Sequence, residues 1–518
     1  MTARTALGGL LLSAALVGCT SDDETAVQGP PKYTPTPLPP LASVPLTDAE
    51  TLTADLPRLT EPDPRKPSDP AGRQAMLDEG YGDFSIGDGQ AHVTHAPVGQ
   101  TPPATGPNAE LLVRFVQLTD MHLVDDESPG RLATFDAPEV TDGAFRPQEG
   151  HQCRVINAMV RTLRAVHQEL PLDFVLANGD SIDNAQLNEA EWLLDILGGS
   201  DRVECDSGQD DDPTAGADND PKDPFVAGGL PVPWYWTTGN HDILRQGNLP
   251  INEAQIEMTQ QADTAGGARD WTQPGAPIFF GPVPSDAARV FLYPDELLGL
   301  VAADGDGHGL TEAQAATGKA HYVFDVPGTP LQFVAVDTAS ETGGSDGLIR
   351  QGDLDSVIKP LLDQAQSDGK WVVLVTHHSV ASIGDGTGLG GEQQPDAVLS
   401  PAWTQAVGAY PNVLYGMVGH SHHHRLRFIE PATGHAWWEI MASSLVDFPS
   451  QGRIVEIWDQ DNGWVMLRST SLDFSTEDDP VAAEGRPLGV LDFVSGWAGH
   501  GLGDPDHSNI EVWIEAPQ

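Results

Sequence analysis

The sequence predicts a mixed α/β fold, and three patterns predict it. Two amphipathic helical stretches are each followed by a short apolar run of strand length. A further apolar run, Leu111-Leu112-Val113-Arg114-Phe115-Val116, opens the series. His321–Phe324 and Leu331–Val336, separated by a Pro-Gly-Thr turn, read as paired strands. The chain has 518 residues, 39% of them hydrophobic, which is ample for a large core. No internal repeat at solenoid spacing is present.

At the N-terminus, Arg4 precedes the apolar run Leu7–Gly18, which is short for a bilayer-spanning helix and fits the core of a signal peptide. It ends in Leu16-Val17-Gly18-Cys19, a stretch that resembles a bacterial lipobox. Residues 1–18 are therefore expected to be a leader and Cys19 a lipidated first residue. An ordinary secretory signal cut near Ser13 to Ala15 is the alternative, and the scarcity of cysteine, three in the chain, favours lipidation. The expected location is the bacterial cell envelope, lipid-anchored on the periplasmic or outer face, or the secreted fraction. Cys153 and Cys205 remain as a pair that an oxidising compartment allows to join. Residues 19–75 are rich in Pro, Asp and Thr without hydrophobic periodicity and read as a tether, followed by an irregular extension over 76–110.

The main domain is assigned to 111–475. Its first amphipathic helix carries Val155, Ile156, Met159, Val160, Leu163 and Val166 on one face and precedes the strand Phe174–Ala177. The second carries Leu354, Val357, Ile358, Leu361, Leu362 and Ala365 and precedes Trp371–Val375. Between these pairs lies an acidic insert, Asp201–Asp223, most simply a solvated loop, with a calcium site as the alternative. Asp304–Gly309 opens like a calcium loop. However, His308 stands at its fifth position and Ala315 at its twelfth, so two oxygen ligands are missing and a turn is expected. Residues 476–518 carry no recognisable chemistry.

With 26 Lys+Arg against 76 Asp+Glu, the formal charge is −50, which argues against any polynucleotide groove. A small anionic substrate would need a local positive centre such as metal ions. The strand ends supply candidates for one. Five predicted strands run into Asp120-Met121-His122, Gly179-Asp180-Ser181-Ile182-Asp183-Asn184, Gly239-Asn240-His241-Asp242, Thr376-His377-His378 and Gly419-His420-Ser421-His422. Each block alone has a bland explanation, since Asp and Asn cap helices and single histidines are common at surfaces. Together they fit an open α/β sheet, in which the carboxyl ends of strands converge on one crevice. A strand period of two would put Asp120 and His122 on one face, and likewise His420 and His422.

In that order the blocks resemble the pattern of the calcineurin-like metallophosphoesterase superfamily, DxH, GDxx(D/N), GNH(D/E), a single His and GHxH, over roughly Leu111 to Arg425. The longer run Gly179 to Gln186 and the segment Leu445–Pro449 are similar to a bacterial secreted branch of it. The resemblance implies a four-layer αββα sandwich and a dinuclear centre of Mn, Fe or Zn ions. One metal would take Asp120, His122, Asp180 and His422, and the other Asp180, Asn240, His377 and His420, with Asp180 as the bridge. His241 would act as general acid near the leaving group and Asp183 would orient it. Asp183 also stands where purple acid phosphatases carry a tyrosine, which argues against that branch.

His378 is a possible substrate contact or a structural residue. His423 and His424 are expected outside the ligand set, behind the ligands or in solvent, and Asp242 and Asp447 as structural or turn residues. Arg131, Arg146 and Arg245 are either phosphate clamps or ordinary surface arginines. The implied activity is hydrolysis of a phosphomonoester or phosphodiester by a metal-bound hydroxide, on a small phosphorylated substrate, with lipid as the only membrane attachment. Two rivals stand beside it: a non-catalytic metal-binding envelope lipoprotein, and a calcium-linked surface interaction protein.

Overall fold

Alternation along one strand shows how the layers arise. In Glu110–Leu118, Val113 and Phe115 enter one apolar cluster while Val116 and Leu118 enter another, because successive side chains leave a strand on opposite faces. The computed structural model describes residues 33–138, 141–253 and 264–517. The leader and Cys19 lie outside the described residues.

Thirteen strands form the two principal sheets: β1 (Val93–His95), β2 (Glu110–Leu118), β3 (Phe174–Asn178), β4 (Trp234–Thr237), β5 (Tyr322–Asp325), β6 (Leu331–Ala335), β7 (Trp371–Val375), β8 (Val413–Val418), β9 (Arg425–Ile429), β10 (Trp437–Met441), β11 (Gln451–Asp459), β12 (Trp464–Asp473) and β13 (Ile510–Glu515). A seven-stranded sheet runs β1-β13-β12-β11-β2-β3-β4, and a six-stranded sheet runs β5-β6-β7-β8-β10-β9. β2, β3 and β4 are parallel, as are β6, β7, β8 and β10. Phe115, Phe174, Val455 and Val512 of the first sheet meet Phe333, Val375, Tyr415 and Ile440 of the second in the inter-sheet core. Outside the first sheet pack the helices Gln152–Glu169 and Leu187–Gly198, through Ile156, Met159, Leu163 and Leu193. Outside the second pack Lys359–Ser367 and Ser400–Val407, through Leu362, Ala365, Trp403 and Val407. The result is a four-layer αββα sandwich. Among the described residues no helix is long and apolar enough to cross a membrane.

Three expectations need correction. The stretch read as a tether up to residue 75 is, from Tyr33 on, fastened to the body. Strand Glu50–Ala54 pairs with Phe84–Asp88, Thr47 Oγ1 donates to the Ser471 carbonyl at 2.7 Å, and Trp497 Nε1 donates to the Asp63 carbonyl at 2.9 Å. Such a segment shows no apolar period because hydrogen bonds hold much of it. Residues 476–518 are likewise no separate segment. Helix Pro480–Ser495 buries Val481, Val490 and Leu491, and β13 is an internal strand of the seven-stranded sheet. The acidic insert is not a solvated loop either. Its flanks pair as Ser200–Val203 with Phe225–Ala227, Cys205 is disulfide-bonded to Cys153, and Asp206, Asp211, Asp220, Lys222 and Asp223 are buried. Lys222 ties the insert to the body by placing Nζ 2.9 Å from Asp126 Oδ1 and 2.6 Å from Glu127 Oε2. The turn expected at Asp304–Gly309 is present, with His308 stacked on Trp234 at 3.5 Å between ring centres.

Candidate metal centre

β2, β3, β4, β7 and β8 all end at one edge of the sandwich, and each releases one of the five polar blocks there. The blocks do not continue the strands. Asp120, His122, Asp180, His420 and His422 have left-handed backbones, with φ of 51°, 44°, 49°, 74° and 55°. The strand alternation expected to align Asp120 with His122 and His420 with His422 is therefore replaced by tight turns that point both members of each pair inward. A non-glycine residue adopts this region at an energetic cost, and such residues gather at functional sites. The neighbouring glycines make room: a Cβ on Gly179, itself at φ 88°, would sit 2.3 Å from His377 Nδ1. One on Gly239 would sit 2.2 Å from Asp180 Oδ1. Asp242 ties two of the turns together, accepting from the N–H groups of Asp180, Ser181, Ile182 and Gly239 at 2.7 to 3.0 Å.

The seven residues proposed as ligands come together at one cavity, which Asp180, Asn240, His420 and His422 line, while Asp120, His122 and His377 are buried behind them. Asp120 Oδ1 lies 3.2 Å from His422 Nε2, 3.8 Å from His377 Nε2 and 4.0 Å from His122 Nε2. Asp180 Oδ2 lies 3.1 Å from His377 Nε2 and 3.8 Å from His122 Nε2. His420 joins His377 and His378 in an adjoining group, and Asn240 lines the cavity beside His420 and Asp180.

The donor atoms fit cations. His122 Nδ1–H donates to Asp183 Oδ1 at 2.8 Å and His422 Nδ1–H to Asp447 Oδ2 at 2.6 Å. Their Nε2 lone pairs are thereby turned toward each other, 3.3 Å apart, and two acceptors cannot bond without something positive between them. His377 donates Nδ1–H to the Asn178 carbonyl, and its buried Nε2 has no hydrogen-bond partner; neither has the buried Asn240 Oδ1. Imidazole, carboxylate and amide oxygen without thiolate suit Mn, Fe or Zn, and fixing the far ring nitrogen is how proteins aim a histidine at a metal.

The two carboxylates draw positive charge into the site: burial lowers His377 and His422, yet Asp180 and Asp120 override it and push them up to about 9 and about 10, so each ring takes up a proton that a bound cation would displace. His122 and His420 are lowered to about 4, by burial first and then by neighbouring histidines, which keeps both in the neutral form that ligates. Burial works against ionisation of Asp180 too, but His377 and His241 hold it well below the usual carboxylate range.

His241 stands beside this group, its Nδ1 2.9 Å from the Asp183 carbonyl and 3.2 Å from Asp183 Oδ1, so Nε2 is the nitrogen left for a substrate. Burial lowers its pKa, but Asp180 and Asp183 outweigh that and raise it. Asp183 accepts from His122 and from Arg131, which is also paired with Glu149 at 2.6 Å.

The arginines and remaining histidines resolve differently from a clamp or a surface. Arg131 is fully buried, and Arg245 Nε donates to the Gly130 carbonyl. Arg146 alone of the three lines the cavity, already paired with Asp447 at 3.1 Å and Asp183 at 3.5 Å. His378 is not at the cavity: Thr338 Oγ1 and the Ser345 carbonyl occupy its two nitrogens at 2.9 and 3.0 Å, so the possible substrate contact gives way to a structural role. His423 lines the cavity, whereas His424 is buried against Gln451.

Sequence reasoning missed Asp447 and His500. Asp447, expected as a turn residue, is the hydrogen-bond partner of His422, and His500 from the C-terminal segment lines the cavity with its Nδ1 3.9 Å from Asp447. The Leu445–Pro449 run after a strand was the one available signal for Asp447; none marked His500. The cavity measures about 810 Å³, and Leu132, Phe135, Leu249 and Leu389 make part of its wall apolar.

No curated protein sequence matches this chain. Among solved structures, a dimetal phosphatase from Danio rerio is 11% identical, covering 71% of this chain and all of its own, with a TM-score of 0.38. The Thermus thermophilus sulfate thiohydrolase SoxB is 12% identical over 75% of this chain and 60% of its own, with a TM-score of 0.29. GAP50, the anchor in the inner membrane complex of Plasmodium, is 12% identical over 73% of this chain and 94% of its own, also at 0.29. The family model for calcineurin-like phosphoesterases matches residues 113–424, a span that begins in β2, ends just past the His420–His422 turn and contains all five blocks. That span is well over half of the chain, and the chain belongs to the calcineurin-like phosphoesterase family, whose chemistry is metal-dependent hydrolysis of phosphoesters.

Proposed function

We propose that this protein hydrolyses small phosphate monoesters or diesters at a dinuclear centre held by Asp120, His122, Asp180, Asn240, His377, His420 and His422. The observation that carries the proposal is the pair of opposed His122 and His422 Nε2 atoms, 3.3 Å apart between Asp120 and Asp180, with His241 at the rim. Two divalent ions bound there would supply Lewis acidity toward phosphoryl oxygens and activate water. The chain's own residues do the rest. Asp183 holds Nδ1 of His241 and favours its protonated form, leaving Nε2–H to donate to the departing alkoxide. Arg146, anchored by Asp183 and Asp447, places positive charge on the cavity wall. The apolar wall suits an ester whose alcohol carries an apolar group, and the net charge of −50 favours a small substrate over a polynucleotide.

The test is a panel of phosphomonoesters, phosphodiesters and nucleotides assayed with Mn, Zn and Fe. His241→Ala should keep its metals and lose roughly 10²- to 10⁴-fold in turnover. A metal-loaded protein silent on the whole panel, or full activity of His241→Ala on esters with poor leaving groups, would overturn the assignment.

We further propose that Cys19 is lipidated and holds the protein at the periplasmic or outer face of a bacterial envelope. The leader-like run before Cys19 supports this, as does the Cys153–Cys205 disulfide, which belongs to an oxidising compartment. Membrane fractionation of Cys19→Ala should release it to the soluble fraction; unchanged membrane association would count against lipidation.

A further inference from the structure

We propose that the acidic insert holds one calcium ion, bound by Asp206, Asp212 and Asp223 around a small cavity that shares no lining residue with the one at the dinuclear centre. The cavity measures about 20 Å³, and its lining includes those three carboxylates, Asp211, Gln209 and Lys222. It has room for one ion or one water and for no larger solute. Asp206 is 3% exposed, and its Oδ1 has no hydrogen-bond partner. Oδ1 of Asp212 is likewise shielded from solvent and unpartnered. A buried carboxylate oxygen without a donor is costly, and a cation removes that cost at every oxygen it touches.

Lys222 does not meet this need. Its Nζ is directed to Asp126, Glu127 and the Cys205 carbonyl, at 2.9, 2.6 and 3.3 Å. The local field still favours a further positive charge. Burial, reinforced by Asp211 and Asp210, raises Asp206 to about 8 against the pull of Lys222, and burial with Asp220 and Asp212 raises Asp223 to about 6. The charged and titratable groups lining the cavity are Tyr33, Glu204, Asp206, Asp211, Asp212, Lys222 and Asp223. Neither imidazole nor thiolate lines it, and oxygen donors on an irregular loop suit calcium, which accepts loose, high coordination, better than magnesium or a transition metal.

The insert also clasps the backbone that follows the first ligand pair. Ser207 Oγ donates to Asp125 Oδ1 at 2.8 Å, Lys222 holds Asp126 and Glu127, and Cys205 is joined to Cys153. A calcium ion would stiffen the support behind Asp120 and His122.

The experiment is calorimetric titration of the full chain, transition metals loaded, with calcium chloride, alongside thermal unfolding in calcium and in EGTA. The wild type should take up one equivalent of calcium, and its Tm should rise by roughly 3–5 °C at a hundredfold excess over Kd. Asp206→Asn/Asp212→Asn should lose the calcium step and the Tm rise. Its Tm in EGTA should equal or exceed that of the wild type in EGTA, because charge repulsion is relieved; this shows that the variant folds. Absence of a calcium step in the wild type would overturn the proposal, as would its persistence in the double variant. A step that disappears in Asp180→Asn instead would place the ion at the dinuclear centre and also overturn it.

Discussion

Asp447→Asn is the substitution that tests how the centre is held. The carboxylate, itself buried at the cavity, accepts from His422 Nδ1 at 2.6 Å, from Arg146 Nε at 3.1 and 3.3 Å and from Gln148 Nε2 at 3.0 Å. Asparagine keeps the shape and one acceptor for the imidazole, so the change is mainly one of charge. At 3.1 Å and an effective dielectric near 20, the lost attraction to Arg146 is about 5 kcal/mol. Breaking a buried pair costs about 3–5 kcal/mol, and the second partner of Arg146, Asp183 at 3.5 Å, puts the expectation near the lower end. His422 loses the negative partner that aims Nε2 and raises its basicity, for which metal affinity should fall about 10- to 100-fold. Titration of the metal-free protein with Zn or Mn in a chelator buffer measures the second effect, and denaturant unfolding of the metal-free protein measures the first. If Asp447→Asn binds both ions with wild-type affinity, His422 is not positioned by Asp447 and the account of the site given above fails at that residue.

Elemental analysis of protein purified without chelator should find about two transition-metal ions per chain, and calcium with no transition metal would contradict the dinuclear centre. Cys205→Ser should lose about 4 kcal/mol of stability, because the disulfide closes a loop spanning 52 positions in the unfolded chain; equal denaturant midpoints with and without the bond would refute this. Burial opposes ionisation of Asp183 and Asp447, but Arg131 and Arg146 hold both below the ordinary carboxylate range. Their stabilisation is therefore fully present above the unfolded value of about 4 and is lost as pH falls below it. Metal-free protein should unfold progressively under acid, with Asp447→Asn showing a shallower pH dependence, and identical profiles would count against the ion-pair account.

The sequence by itself determined the class of fold and the identity of the ligand blocks. Strand and helix periods are local properties, and an Asp or His one or two residues past an apolar run marks a strand end without any knowledge of the partner strand. What only the tertiary structure decided depends on contacts between distant segments. His422 and Asp120 are about 300 positions apart, as are Arg146 and Asp447, and no local period links them. The left-handed turns at Asp120, His122, Asp180, His420 and His422 overrode the strand alternation, because facing a common centre outweighs backbone preference where several ligands converge. The segment from Tyr33 to residue 75 and the acidic insert read as exposed because their compositions are polar. Folding fastened them nonetheless, by giving Thr47 and the Asp63 carbonyl of one and Lys222 of the other hydrogen-bond and ionic partners that lie elsewhere in the chain.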